Sequence, residues 1–168
     1  MSLSLYPETD SFKRLGRTNC LNFSRTSFRV RFTETTKYSK MKIEKLHHIA
    51  IICSDYRKSK HFYTQILGFE IGNEIYRDER KSYKLDLLLN GQYLIELFSF
   101  PNPSKRPTRP EATGLRHISF GVKDFDSSME YLKSKNVITE PIRMDEHTGK
   151  KFTFFSDPDD LPIEIYEI

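Results

Sequence analysis

Two stretches of this chain carry nearly the same message. Leu46-His47-His48-Ile49 opens one, and Leu115-Arg116-His117-Ile118 opens the other 69 residues later. The correspondence continues without a gap, pairing Asp55 with Asp124, Tyr56 with Phe125, Ser59 with Ser128 and Phe62 with Tyr131. It returns at a spacing of 68 near the end of each copy, as Ile95-Glu96-Leu97 and Ile163-Glu164-Ile165. Such a duplication constrains the fold more than any composition does, because each copy must build the same supersecondary unit. It also places one histidine and one glutamate at equivalent points of each half. Two imidazoles and two carboxylates related in this way are a donor set from which one metal site can be built out of two halves.

Within each copy the pattern is strand, helix, then several strands. In the first, residues 46–53 read as a strand and Ser54 or Asp55 as a helix N-cap. Phe62, Tyr63, Ile66 and Leu67 form an apolar stripe on a helix over roughly 56–67, closed by Gly68. Extended runs follow at about 70–76, 85–89 and 93–98, with Asn90-Gly91 as a two-residue hairpin turn between the last two. In the second copy the strand is 116–122, Asp124 caps a helix bearing Phe125, Met129, Tyr131 and Leu132, and Asn136 closes it. Strands fall near 138–143, 151–155 and 163–166, and Asp157-Pro158-Asp159-Asp160 makes the last turn. Each copy is therefore βαβββ. The expected fold class is α+β, with tandem modules at about 42–100 and 114–168 forming a mixed, cup-shaped sheet around a metal site.

At 168 residues and 37% apolar content, the chain can bury one good core. Its net charge of +4 is unevenly spread: residues 1–40 carry eight Lys/Arg against three Asp/Glu, and residues 41–168 carry 19 against 20. The repeated part is nearly neutral, so nucleic acid is not an expected partner. The two cysteines, Cys20 and Cys53, offer neither a disulfide framework nor a thiolate zinc site, and a reduced, cytoplasmic setting is expected. No apolar run approaches the roughly 18–20 residues that cross a bilayer, and no secretory signal opens the chain, so no membrane association is expected. Residues 1–40 read as a basic, non-catalytic extension ahead of a single domain at 41–168, with Met41 immediately before the repeat. Two other readings of that segment stand beside it: an organelle transit peptide, and an added strand at 27–36, where Phe28, Val30 and Phe32 alternate with Arg29, Arg31 and Thr33.

Strand alternation decides where the four candidate ligands point. Successive strand side chains face opposite sides, so His48 shares a face with Leu46, Ala50 and Ile52, and His47 is expected on the other. Glu96 and Glu164 are each bracketed by apolar neighbours, which are natural undersides for the helices; the glutamates are then left on the uncovered face. A lone histidine is more often a satisfied core residue than a ligand, and a lone strand carboxylate is usually just solvated. Both pairs together, matched by the repeat, fit neither explanation. His61 and His147 have no partner at a ligand spacing.

These motifs carry a resemblance. Leu-His-His-Ile-Ala-Ile at 46–51, Phe-Tyr at 62–63 with Ile-Leu-Gly-Phe at 66–69, Gly-Leu-Arg-His-Ile-Ser-Phe at 114–120, and Phe-Ser-Asp-Pro-Asp at 155–159 leading to Ile-Glu-Ile at 163–165 resemble the vicinal oxygen chelate superfamily of glyoxalases, bleomycin resistance proteins and dioxygenases. In detail they look like its glyoxalase I-like, YaeR-like branch. The resemblance implies metal ligands at His48, Glu96, His117 and Glu164, the four that the repeat singles out independently. It implies a metal-dependent lyase or isomerase that chelates two neighbouring oxygens of a small substrate and shuttles a proton through an enediolate, with Glu164 or else Glu96 as the base. A mixed N/O set suits one divalent ion, Zn or Ni first, with Co, Mn or Fe also compatible.

The resemblance leaves the substrate unnamed. The Pro-rich linker between the copies carries Lys105, Arg106 and Arg109, and Arg77 lies in a polar cluster of copy one; Arg77, Arg106 and Arg109 are candidates for holding an anionic substrate such as a glutathione conjugate. An ordinary solvated linker is the competing reading for the first group and a solvated turn for the second. Other members of the superfamily define the alternatives. An extradiol-type dioxygenase uses two histidines and one glutamate, which leaves Glu96 superfluous, and a drug-binding module of the bleomycin-resistance kind needs no metal ligand. Relatives build their sites either within one chain or across a homodimer, and a duplicated sequence is compatible with both.

Overall fold

Asp55 and Asp124 start the two helices by the same device. Each sits in extended backbone, and its carboxylate accepts from the amide three residues on, Lys58 at 3.1 Å and Ser127 at 3.0 Å. Around these caps the computed structural model, which describes residues 40–168, runs β1 (Ile49–Cys53), α1 (Tyr56–His61), a π-helical turn (Phe62–Ile66), β2 (Glu70–Arg77), β3 (Ser82–Leu89) and β4 (Gln92–Ser99). The second copy gives β5 (Ile118–Val122), α2 (Phe125–Ser134), β6 (Arg143–Met144), β7 (Lys151–Ser156) and β8 (Pro162–Glu167). Each module forms its own four-stranded mixed sheet, in the orders β1-β4-β3-β2 and β5-β8-β7-β6. These are the tandem βαβββ units that the repeat requires. The strand expected at 27–36, together with Cys20, lies outside the described residues.

The two sheets share one core. Leu85, Leu87, Ile95, Leu97 and Ile163 are fully buried, and they belong to a single cluster with Ile165, Phe62, Tyr63, Phe155 and Phe125. Each such side chain contributes about 1.5–3 kcal/mol relative to exposure. The widened turn at the end of α1 brings consecutive residues Phe62 and Tyr63 both inward, with Leu67 N–H donating to Phe62 O and Phe69 N–H to Tyr63 O. Phe62 meets Phe155, and Tyr63 reaches across to Asp157, so α1 of the first module is fastened to the last turn of the second. Gly68 at φ +76 releases the chain from that turn, and Asn90 and Gly91, both at positive φ, make the β3–β4 hairpin.

Two expectations need correction. The strand expected at 138–143 shrinks to Arg143–Met144, because Pro141 has no amide to donate to a ladder. The segment before it hangs on β7 through single contacts instead, Glu140 N–H to Phe154 O at 2.7 Å and Thr153 Oγ1 to Glu140 O at 2.7 Å. The first strand begins at Ile49, so residues 46–48 are free of strand alternation. His47 therefore does not turn to the far side: its Nδ1 lies 2.8 Å from His48 Nδ1, and its ring meets Tyr93 edge-on.

Candidate metal and substrate site

Parallel pairing of β1 with β4 and of β5 with β8 sets each histidine beside its own module's glutamate. Register pairs Ile49 with Ile95 and Ile118 with Ile163, so the residue preceding each strand, His48 or His117, lies next to the glutamate one position on. His48 Nε2 is 3.5 Å from Glu96 Oε2, and His117 Nε2 is 3.6 Å from Glu164 Oε2. Ile95, Leu97, Ile163 and Ile165 turn into the core, so both glutamates point away from it, as alternation requires.

Those separations are long for hydrogen bonds. They lie just beyond the spacing of two atoms ligating one cation: donors each about 2.1 Å from an ion, at angles between square and tetrahedral, stand roughly 3.0–3.4 Å apart, so a small inward turn of each couple would bring it to that spacing. The tautomer in which His48 Nδ1–H donates to His47 leaves the Nε2 lone pair directed at the Glu96 side. His117 is held by packing, edge-on to Phe154 at 5.2 Å, and its Nδ1 is buried with no partner among the described residues. The four candidates come together as two pairs. Among the described residues no group of three or more His, Cys, Asp or Glu side chains is close enough to hold one ion.

The pairs differ in their surroundings for a reason visible in the register. Asp86 faces Glu96 across β3–β4, whereas Phe154 faces Glu164 across β7–β8. In module one, Lys84 donates to Glu96 Oε1 at 2.7 Å and to Asp86, and His48 stacks on Tyr93 with centroids 5.1 Å apart. Burial alone raises the Glu96 carboxyl, but hydrogen bonds from Lys84 and Tyr93 outweigh it and hold the group below its usual range. The Tyr93 hydroxyl is pushed up by burial and by its bond to that carboxylate. Glu164 has His117 as its ionic partner and an aromatic floor of Phe152 and Phe154. Lys84, Tyr93, Phe154 and Arg143 carry no motif; only the strand register brings them to the site.

A cavity of about 630 Å³ opens on the second pair, lined by His117, Glu164, Arg106, Arg109, Arg143 and Phe154 among others. Arg106 uses Nη2 on the carbonyls of Leu115 and Arg116, pinning the backbone that leads into His117. Arg109 is largely exposed, with Glu140 at 3.5 Å. Arg77 does not line this cavity. It lies over Phe98 and Phe100 on the first module, with Nη2 on Ser82 Oγ.

The sequence profile of the Glyoxalase/Bleomycin resistance protein/Dioxygenase superfamily matches residues 45–165. The chain belongs to this superfamily. It is similar to the uncharacterized protein YwkD of Bacillus subtilis (strain 168), 61% identical over 127 residues covering 76% of this chain and 99% of that protein. It is also similar to the uncharacterized protein YaeR of Escherichia coli (strain K12), 58% identical over 125 residues, 74% of this chain and 97% of that one. Among solved structures, a glyoxalase family protein from Enterococcus faecalis aligns with a TM-score of 0.70 and 45% identity, covering 76% of this chain and all of that one. The superfamily name spans enzymes and resistance proteins. No helix among the described residues is long and apolar enough to cross a membrane.

Proposed function

We propose that this glyoxalase-superfamily protein is a metal-dependent lyase or isomerase of the glyoxalase I kind, acting on a small substrate with two neighbouring oxygens. The observation that carries this reading is the pair of His–Glu couples at repeat-equivalent positions, with Nε2 and Oε2 3.5 Å apart in one and 3.6 Å in the other, close to the spacing of two atoms on a shared cation. His48, Glu96, His117 and Glu164 would hold one divalent ion, for which a mixed imidazole and carboxylate set favours Zn or Ni. When bound, such an ion supplies Lewis acidity toward substrate oxygens.

The chain contributes the two couples from separate modules, and each glutamate points away from the shared core. A homodimer resolves this: the first-module couple of one copy meets the second-module couple of the other, giving two equivalent sites about a twofold axis. Exposed Ile71, Ile75 and Tyr76 on β2, and Ile142 and Met144 at β6, are apolar surface that such pairing can cover.

Proton transfer falls to Glu164. Glu96 is tied to Lys84 and Tyr93, which fix it in place as a carboxylate, whereas Glu164 lacks a lysine or arginine partner among the described residues and faces Phe154. Glu164 can therefore take a proton from the substrate carbon beside a carbonyl at a carboxylate oxygen and return it to the neighbouring carbon. The same environment sets what is expected of Glu164→Gln: metal affinity lowered, and turnover measured at saturating metal reduced about 10²–10⁴-fold. Comparing metal content with initial rates checks it.

Elemental analysis of the purified protein, with a rate assay on the methylglyoxal–glutathione adduct, tests the whole reading. One ion per chain with turnover is expected. Metal without turnover discards the named reaction, and absence of metal discards the site. We further propose that residues 1–40 are dispensable and that the domain begins near Met41, since the superfamily match starts at residue 45. Deleting them is expected to leave metal content and melting temperature unchanged. A deletion variant that fails to fold would make the segment structural.

A further inference from the structure

The cavity that holds Glu164 is also lined by an arginine that the proposed metal chemistry does not use. Arg143 lies on β6 with its guanidinium over Phe152, 4.9 Å from the ring centroid, and over Phe154, 5.1 Å away. Phe154 in turn is edge-on to His117. Contact with the two rings restrains the guanidinium and leaves N–H groups to act. Of its five N–H donors, the described partners engage only Nη2, which donates to Glu140 Oε2 at 2.9 Å.

Glu140 spans two arginines. Its Oε1 stands 3.5 Å from Arg109 Nη2, and its backbone is pinned to β7 by Phe154 O and Thr153 Oγ1. A gap between Arg109 and Arg143 that accepts one carboxylate is dimensioned for an oxyanion. The cavity lining also has charge to spare: Arg106, Arg109, Arg116 and Arg143 face Glu111, Glu140 and Glu164, an excess of one positive charge before any ion binds. The aromatic floor strengthens the effect. Phe152 and Phe154 stand where the first module has Lys84 and Asp86 at equivalent register, so the second module offers an apolar surface on which a charge pair is less screened by water.

We propose that Arg143, assisted by Arg109, receives an oxyanion of the substrate, and that Glu140 occupies this receptor as an internal carboxylate when no ligand is bound. The substrate class is then a small acid: a carboxylate or phosphate-type group on Arg143, with its reacting oxygens toward His117 and Glu164. This rests on the functional reading above for the orientation of the substrate, but the receptor itself is present without metal.

Calorimetric titration of the metal-free full-length protein with inorganic phosphate, and separately with acetate, tests it. The wild type is expected to bind at least one of the two, and the tighter probe identifies the oxyanion. Arg143→Gln is expected to weaken binding about tenfold or more, as befits the loss of a charge-assisted pair. Glu140→Gln is expected to act in the opposite direction, tightening binding severalfold by removing the internal competitor. Unchanged melting temperatures control for folding at this exposed strand. Because the titrated protein is free of metal and metal content is read separately by elemental analysis, failure of the metal reading and failure of the receptor are told apart. Equal binding by wild type and Arg143→Gln, binding of neither probe by the wild type, or weaker binding by Glu140→Gln would overturn the proposal.

Discussion

Replacing His117 with alanine is expected to lower affinity for the divalent ion about a hundredfold or more while leaving the domain folded. Changes one shell further out in metal sites typically cost about 10–100-fold, so removing a direct ligand must cost at least as much. The fold should tolerate the loss. His117 precedes β5, its side chain is 30% exposed, and packing against Phe154 is its main restraint, so the stability change should stay near 1 kcal/mol. His48→Ala should behave the same way, and His47→Ala much more mildly, because His47 touches the site only through His48 and Tyr93. Equilibrium dialysis with Zn or Ni, read beside circular dichroism, distinguishes these outcomes. Wild-type metal affinity in His117→Ala would remove that residue from the ligand set.

Tyr63→Phe is expected to destabilise the domain by about 1–3 kcal/mol, with a pH signature that identifies the cause. Tyr63 is fully buried, and its hydroxyl donates to Asp157 Oδ2 at 2.8 Å, joining the two modules. Burial pushes the Asp157 carboxyl above its ordinary value, against the pull of the Leu161 amide, the Tyr63 hydroxyl and the Asp159 amide. A carboxyl raised in the folded state favours folding at low pH, and that contribution disappears as pH rises through the raised value. Phenylalanine removes one donor that supports the ionised form, leaves the carboxylate short of a partner and raises its pKa further. The deficit should therefore be larger near neutral pH than in mild acid. Urea unfolding at the two conditions measures it, and a deficit independent of pH would assign the loss to packing alone.

The sequence made the module plan legible because both copies spell the same devices: an aspartate cap, an aromatic stripe, a glycine or asparagine release and an apolar-Glu-apolar strand. Those signals are local. The inward turn of Ile95, Leu97, Ile163 and Ile165 followed from alternation, and the repeat singled out His48, Glu96, His117 and Glu164 as one donor set. Their division into two couples is seen only in the strand register. What was not legible depends on pairing between distant strands. Lys84 and Tyr93 reach Glu96 only through the β3–β4 hairpin, and Arg143 meets Phe152 and Phe154 through the β6–β7 pairing, which sets it across from Phe152. The π-helical turn that seats both Phe62 and Tyr63 leaves no signature beyond an aromatic pair. Alternation puts His47 on the wrong side because residues 46–48 form no strand. Whether two couples become one site depends on assembly, which a repeat is compatible with but does not dictate.

Metal content after mixing two defective chains tests the central claim most directly. In the proposed homodimer, His48→Ala and His117→Ala each leave one damaged couple in every site. Unfolded together and refolded at equal amounts, half of the dimers should be mixed, and each mixed dimer carries one site with both couples intact. The mixture is expected to recover about a quarter of wild-type metal per chain, where neither parent holds any tightly. Recovery of none, with wild-type protein fully loaded, would place the four ligands within a single chain; full loading of either parent alone would contradict the site itself.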